Sequence, residues 1–240
     1  MEREIGAGAA PLKATDRDLP PFADPNIVGP MIEQPPYLAG SLLLAMPGMA
    51  DPRFDKAVIA LAVHDEHGAV GIGIGHIRSG IRFRDLLRQV DIDPRGAPDA
   101  PVLHGGPVEP GRGFVLHSDD WGGQDTIEVV GFGAMTGTID VLRAIAEGRG
   151  PSQWKVSLGY AGWGSGQLDE EMTRHGWLTA PGSPALLFDS PTDGLWEAAF
   201  KTVGIDPRLL VGETGAALGL STEKVVDPCP PLPRPIGCRL

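Results

Sequence analysis

The sequence predicts an α+β fold in which a largely antiparallel sheet carries packed helices. Two observations favour this class. Short β-rich runs lie on either side of polar turns, as in hairpins, and several of them precede the first strongly amphipathic helix. After that helix, strands and helices alternate only loosely, without the regular strand–helix–strand units that build a parallel sheet. The sequence also contains no internal repeat.

The first half of the chain is dominated by predicted strands. Residues 42–46 form a short apolar strand that Pro47 limits. The β-rich run at 57–63 is joined to the run AVGIGIG by the polar turn DEHG, and the two runs predict a hairpin. Residues 83–90 predict a helix with its leucines on one face. Further short strands are predicted at 101–104, 113–117 and 126–130, the first two around a GGPVEPGR turn.

The second half alternates between helices and strands. Residues 138–147 predict the clearest helix, because Ile139, Leu142 and Ile145 form one stripe and Gly148 follows as a stop signal. The remaining predicted elements are a strand at 154–160, a helix at 167–175, a strand at 185–188 and a helix at 195–203.

The two ends differ in composition from the middle of the chain. Residues 1–36 contain seven prolines and little periodicity, which predicts a disordered or loosely attached arm. Residues 219–240 form a proline-rich tail that carries both cysteines, Cys229 and Cys238. We therefore expect the folded domain at 37–218. It has no disulfide framework, signal peptide or apolar run near the ~20 residues of a membrane span, so we predict a cytoplasmic protein that is not in the membrane.

The charge of the chain disfavours direct DNA binding. The formal net charge is −11, and most of the acidic excess lies in the predicted domain. Affinity for phosphates comes from clustered Lys and Arg. The only basic concentration consists of Arg78, Arg82, Arg84 and Arg88, which we interpret as a solvated helix face.

Three motifs that suggest chemistry are better interpreted as structural. Gly71, Gly73 and Gly75 alternate with isoleucines inside a strand and do not open a helix, so they are not a dinucleotide fingerprint, and we predict no cofactor. The HDEH sequence at 64–67 lacks a nearby fourth ligand; we predict a polar turn and no metal site. Ser165 lacks the glycine spacing of a nucleophile elbow, which favours a role as a helix cap.

The segment between Trp154 and Trp177 is the best candidate for a site. Four glycines fall within eight residues, beside Tyr160 and Trp163, and precede a predicted helix whose free N–H groups favour an anion. Gly105, Gly106 and Pro107 together with residues 114–117 are expected to form an opposing wall, with His104 and His117 as the proton carriers. The predicted ligand-binding residues are Gly105, Gly106, Pro107, His117, Tyr160, Trp163, Gly164, Ser165, Gly166 and Gln167. In the alternative interpretation, the rings pack in the core and the acids at 169–171 stabilise the helix.

Four segments together resemble the AlgH/YqgE family of bacterial proteins. They are SLLLAMPGMADPRF at 41–54, HGGPVEPGRGFVLH at 104–117, LGYAGWGSGQLDEEM at 158–172 and LLFDSPTDGLWEAAFKTVGID at 186–206. The resemblance implies an α+β domain with a bifurcated sheet curled into a pseudo-barrel. The family carries a transcriptional-regulator label without an established activity, so the resemblance implies no catalytic residues.

Three roles are compatible with these observations. The dense glycine–aromatic segments without a nucleophile, metal set or cofactor loop favour a cytoplasmic binding or regulatory protein. Its partner would be a small anionic ligand or another protein. The alternative is an enzyme that acts on a small anionic or phosphorylated metabolite, with His104 or His117 moving protons. A scaffold whose motifs only maintain an unusual sheet is the third possibility.

Overall fold

The computed structural model describes residues 37–49, 51–174 and 176–210. The predicted arm at 1–36 and tail at 219–240, with both cysteines, lie outside the described residues. The strands are β1 (Ser41–Ala45), β2 (Val58–Asp65), β3 (Gly68–Gly73), β4 (Ile77–Arg82), β5 (Pro101–His104), β6 (Val108–His117), β7 (Ile127–Val129), β8 (Gly133–Thr136), β9 (Trp154–Gly164) and β10 (Trp177–Pro181). The helices are α1 (Phe83–Gln89), α2 (Ile139–Ala146), α3 (Gln167–Thr173), α4 (Leu195–Thr202) and α5 (Pro207–Leu210), with a 3-10 turn at Pro52–Phe54 and a π-helical turn at Ala185–Asp189.

The described strands form one sheet, in the order β10-β1-β2-β3-β9-β6-β8-β7, with β4 and β5 branching from it. Along one edge, β9 pairs antiparallel with β6. Along the other edge, its first half pairs in parallel with β5 and its second half pairs antiparallel with β3. The sheet therefore forks at the middle of β9, which confirms the bifurcation that the family resemblance implied.

The sheet curls around an apolar interior. One buried cluster combines side chains from strands that are far apart in the sheet order, among them Leu42 of β1, Phe114 of β6 and Ala180 of β10, and α4 adds Phe200. A second cluster packs α1 and α2 against β5, β6 and β9. A third packs α3 against the outer face of β1, β2 and β9. The fold is thus a curled half-barrel with helices on its faces, as predicted.

Glycines at the fork allow three backbones to approach one another closely. A Cβ at Gly105 would lie 2.0 Å from the carbonyl oxygen of Gly159, and a Cβ at Gly106 would lie 2.2 Å from the backbone of Tyr160. A Cβ at Gly73 would lie 2.4 Å from the carbonyl oxygen of His104. The amide of Gly73 donates to the carbonyl of Gly105 (2.7 Å), which joins the two branches. Glycine is required here because any side chain would separate these strands.

The prediction of a strand at 185–188 is wrong. These residues belong to the π-helical turn, and Leu186 and Leu187 are buried in the interior cluster. A short apolar run does not distinguish a strand from a buried helical segment, because both bury every residue. The predicted helix at 167–175 ends at Thr173, and His175 lies outside the described residues.

Three strands, β4, β8 and β10, were not predicted from the sequence. The strand β4 (IRSGIR) is largely exposed and lacks an apolar face, and β8 is only four residues long. The predicted turn at 105–112 is also shorter than expected. Val108 already pairs with Tyr160 in β9, and residues 109–112 loop out before pairing resumes at Gly113.

Candidate functional site

The glycine-rich segment predicted as a turn is mostly strand, because β9 continues to Gly164. Tyr160 is buried in the half-barrel interior, whereas Trp163 packs in the outer cluster under α3. The side chain of Gln167 reaches back, and its amide oxygen accepts from the backbone N–H of Gly164 (3.0 Å). The backbone amide that was expected to face an anion therefore has an internal partner.

A carboxylate fixes this end of β9. Oε2 of Glu171 accepts from the indole N–H of Trp163 (2.9 Å) and from that of Trp177 (2.8 Å). Its Oε1 accepts from the amide of Gln167 (3.1 Å). Glu171 thus ties β9, α3 and β10 together, and it satisfies two indole donors that would be costly to bury alone. The geometry gives Trp163 and Gln167 a structural role.

Ser165 and Gly166 complete the connection from β9 to α3. The hydroxyl of Ser165 donates to the carbonyl of Glu66 at the tip of the β2–β3 hairpin (2.7 Å). Ser165 is not the helix cap that the sequence predicted. Gly166 occupies the N-cap with a left-handed backbone (φ 69°), which a residue with a side chain adopts at a cost.

His117 is fully buried at the end of β6, in a directed chain of hydrogen bonds. Its Nδ1 lies 2.8 Å from the carbonyl of Ser118, which can only accept, and its Nε2 lies 2.9 Å from the hydroxyl of Thr136. Thr136 is in turn 2.8 Å from the hydroxyl of Thr126, which accepts from the N–H of Gly123. A neutral imidazole with its proton on Nδ1 satisfies every group in this chain. Burial lowers the pKa of His117.

His117 and Gln167 lie far apart. His117 pairs with Trp154 at the start of β9, whereas Gln167 follows the end of that strand, thirteen residues after Trp154. The two residues therefore do not share a site. The segments that contain them do meet, since Gly105 and Gly106 pack against Gly159 and Tyr160.

A narrow cleft opens at the fork of the sheet. Its lining residues are Arg53, Phe54, Ala57, Val58, Ile59, Gly73, His76, His104, Gly105, Gly106 and Pro107. The interior volume is about 20 Å³, which is space for about one water-sized group. Of the sequence-predicted site residues, Gly105, Gly106 and Pro107 line this fork cleft.

The fork cleft has basic and imidazole groups but no carboxylate in its lining. His76 and His104 are both exposed, and the N–H of His104 donates to the carbonyl of His76 (2.9 Å). The guanidinium of Arg53 forms a double hydrogen bond with Asp51 (2.6 and 3.0 Å), which lowers the pKa of that carboxyl. The charge of Arg53 is thus balanced by Asp51. The imidazoles of His76 and His104 are therefore the lining groups that can bind an anion.

The sequence analysis named His104 and His117 as proton carriers and did not include His76, which lines the fork cleft beside His104. His76 follows the predicted strand that contains Gly71, Gly73 and Gly75. Its position beside His104 depends on the pairing of β4 with β5, where Ile77 is opposite Leu103. The exposed strand β4 gave no amphipathic signal from which this pairing could be predicted.

Comparison with known proteins identifies the family. A model of the AlgH-like family (DUF179) matches residues 42–208, most of the chain. The chain belongs to the AlgH-like family. A UPF0301 protein of Novosphingobium aromaticivorans is 63% identical over 181 residues, which is 75% of this chain and 97% of that protein. A UPF0301 protein of Rhizorhabdus wittichii is 56% identical over 78% of this chain and all of that protein.

A solved structure from the same family has the same architecture. The solution structure of the AlgH protein from Pseudomonas aeruginosa matches with a TM-score of 0.62 and 41% sequence identity, over 76% of this chain and 97% of that one. The names of these relatives state no reaction or ligand. The function of this AlgH-like chain therefore has to be argued from its own residues.

Two further expectations for the AlgH-like chain concern charge and metals. The four arginines at 78–88 bind neighbouring groups: Arg78 to the carbonyl of Pro110, Arg82 to Asp99, Arg84 to the carbonyl of Ala97 and Arg88 to Asp85. Within the described residues, no three His, Cys, Asp or Glu side chains converge as a metal site would require. His64 is buried and not solvated as expected, because its Nδ1 accepts from the N–H of Leu38 (3.0 Å).

The helices of the described chain are all short. None of them has both the length and the apolar character needed to cross a membrane.

Proposed function

We propose that this AlgH-like chain is a cytoplasmic binding or regulatory protein that recognises an anionic group at the fork cleft. The observation that carries the proposal is the pair of exposed imidazoles, His76 and His104, beside the glycine backbone at 105–106, in a cleft without a lining carboxylate. Two exposed imidazoles on adjacent strands can both donate N–H groups to one carboxylate or phosphate.

The size of the fork cleft favours binding over catalysis on a whole metabolite. About 20 Å³ accommodates one water-sized group, far below the ~300–1,000 Å³ of a site that encloses a small molecule. We infer that the cleft takes the anionic end of a larger ligand or of a protein partner. The alternative, an enzyme for a small anionic metabolite, has less support because His117 is buried and hydrogen-bonded away from this cleft.

The test is a thermal-shift screen with carboxylates, phosphorylated metabolites and nucleotides at pH 6 and pH 8. Ligands that bind the folded state raise the melting temperature by mass action. Replacing both His76 and His104 with Ala is expected to weaken an anionic hit at least about tenfold, since charge-assisted hydrogen bonds contribute about 1.5–3 kcal/mol each.

The matched control is His67→Ala at the tip of the β2–β3 hairpin. His67 is also exposed but lies outside the cleft lining, so its loss is expected to leave binding unchanged. Equal weakening by both changes would contradict recognition at the fork. Turnover of an anionic hit that depends on His104 would favour the enzyme.

A further inference from the structure

A second and larger cavity lies where the ends of β6 and β8 meet the start of β9 and the π-helical turn. Its volume is about 320 Å³, within the ~300–1,000 Å³ range of small-molecule sites. We call it the π-turn cavity. Its lining residues are Ser118, Asp119, Gly131, Phe132, Gly133, Gln153, Pro184 and Phe188. It is separate from the fork cleft, with which it shares no lining residue.

The walls of the π-turn cavity are held in place by polar bridges. The amide of Gln153 donates to the carboxylate of Asp189 (3.0 Å), and the ammonium of Lys155 donates to the carbonyl of Ser190 (3.4 Å). These contacts attach the π-helical turn, which carries the half-buried Phe188, to the start of β9. π-Helical turns are rare and often occur at functional sites. The cavity therefore has a preformed aromatic wall.

The charge of the π-turn cavity has one sign. No hydrogen bond or ion pair within the described residues engages the exposed carboxylate of Asp119. Its neighbour Asp120 differs, because it accepts from the hydroxyl of Ser118 (2.6 Å) and the N–H of Ser152 (3.1 Å). No Lys, Arg or His is among the lining residues. An anionic ligand would thus meet a negative charge that no lining residue offsets.

We propose that the π-turn cavity binds a small organic cation, an ammonium or guanidinium group carried on an apolar or aromatic body. The carboxylate of Asp119 pairs with the charge, and the ring of Phe188 offers a face to the cation or its apolar body. Gln153 uses its amide N–H toward Asp189, and its amide oxygen remains an acceptor for an ammonium N–H.

The experiment compares three probes that share a benzyl body and differ in charge. Benzylammonium, benzyl alcohol and benzoate are titrated against the full chain and followed by the amide NMR signals of Ser118, Gly133 and Gln153. We expect benzylammonium to bind at least tenfold more tightly than benzyl alcohol, and benzoate to leave these signals unchanged. Asp119→Asn is expected to reduce the affinity for benzylammonium about tenfold. Phe188→Leu is expected to weaken the binding of both benzylammonium and benzyl alcohol.

The control is Asp55→Asn, which removes an exposed carboxylate outside the π-turn cavity and is expected to leave binding unchanged. Asp119 has no partner within the described residues, so its substitution is expected to leave folding intact, which the amide spectrum checks directly. The proposal is overturned if the three probes bind equally, if benzylammonium does not bind at millimolar concentration, or if Asp119→Asn binds it as tightly as the natural chain.

Discussion

At the scale of single residues, most polar side chains that the sequence suggested for ligand binding or catalysis form hydrogen bonds within the chain. Glu171 accepts hydrogen bonds from two indole N–H groups, and the side-chain oxygen of Gln167 accepts from the backbone N–H of Gly164. The buried His117 is hydrogen-bonded to Thr136. Buried polar groups require partners, and here those partners come from within the domain. The exposed His76 and His104, and Asp119, which has no partner within the described residues, are therefore better candidates for recognition.

The burial of His117 predicts a pH-dependent stability. Burial holds the pKa of His117 below its usual value of 6.5, so below about that pH the imidazole binds a proton in the unfolded state but not in the folded state. The resulting stability is present above about pH 6.5 and is lost as the pH falls toward the lowered folded value. We expect His117→Gln, which does not titrate, to show a shallower fall in the free energy of unfolding between pH 7.5 and 5.5. One group accounts for at most about 1.4 kcal/mol per pH unit.

Denaturant melts at several pH values measure this difference. His67→Gln serves as the control, since His67 is exposed and its loss is expected to leave the slope as it was. Equal slopes for His117→Gln and the natural chain would show that His117 does not contribute to the pH dependence.

At the scale of elements, the glycines of the HGGP segment determine how closely β5, β6 and β9 approach. Gly105→Ala would place a methyl group against the carbonyl of Gly159, with no flexible neighbour to move aside. We expect a loss of about 4 kcal/mol or more in the free energy of unfolding, as for severe backbone or packing disruptions. Gly111→Ala is the matched control, because nothing lies within 4 Å of its Cβ position.

The Gly111 variant is expected to stay within about 1 kcal/mol of the natural chain. Circular dichroism and urea midpoints compare the two variants. A Gly105→Ala protein with unchanged stability would mean that the fork tolerates wider strand spacing and that the glycines are kept for another reason.

The sequence predicted helices and strands that have a periodic apolar pattern better than it predicted which strands pair with each other. The helices α1, α2 and α4 and the β2–β3 hairpin were found because each has a local signal. The fork was not derivable from that signal, since β5 and β9 pair across some fifty residues and β4 has no apolar face. For the same reason, the proposed site lies at the fork cleft and not at the glycine-rich segment before α3, which the sequence favoured. The HGGP glycines were identified, but the imidazole that lies beside His104 depends on the β4–β5 pairing.

At the scale of the whole molecule, charge limits the choice of partner. The formal net charge is −11, and the arginines at 78–88 bind neighbouring groups in the chain. Two of these arginines, Arg82 and Arg88, are paired with carboxylates, whereas Arg78 and Arg84 bond carbonyl oxygens and keep their positive charge. Two remaining charges oppose the long-range repulsion between an acidic chain and a polyanion only weakly. We expect no retention of duplex DNA in a gel-shift titration at physiological salt, with and without Arg82→Ala and Arg84→Ala. Tight, sequence-selective retention by the natural chain would contradict this expectation.

The three partners of β9 also bear on synthesis of the chain by the ribosome. β3, β5 and β6 all precede β9, and the hydroxyl of Ser157 reaches back 84 positions to the carbonyl of Gly73. A nascent chain that stops short of residue 154 exposes the edges of these strands without the one segment that joins them. The fork is therefore completed only after β9 has left the exit tunnel, and until then the earlier strands present edges that can pair with other chains.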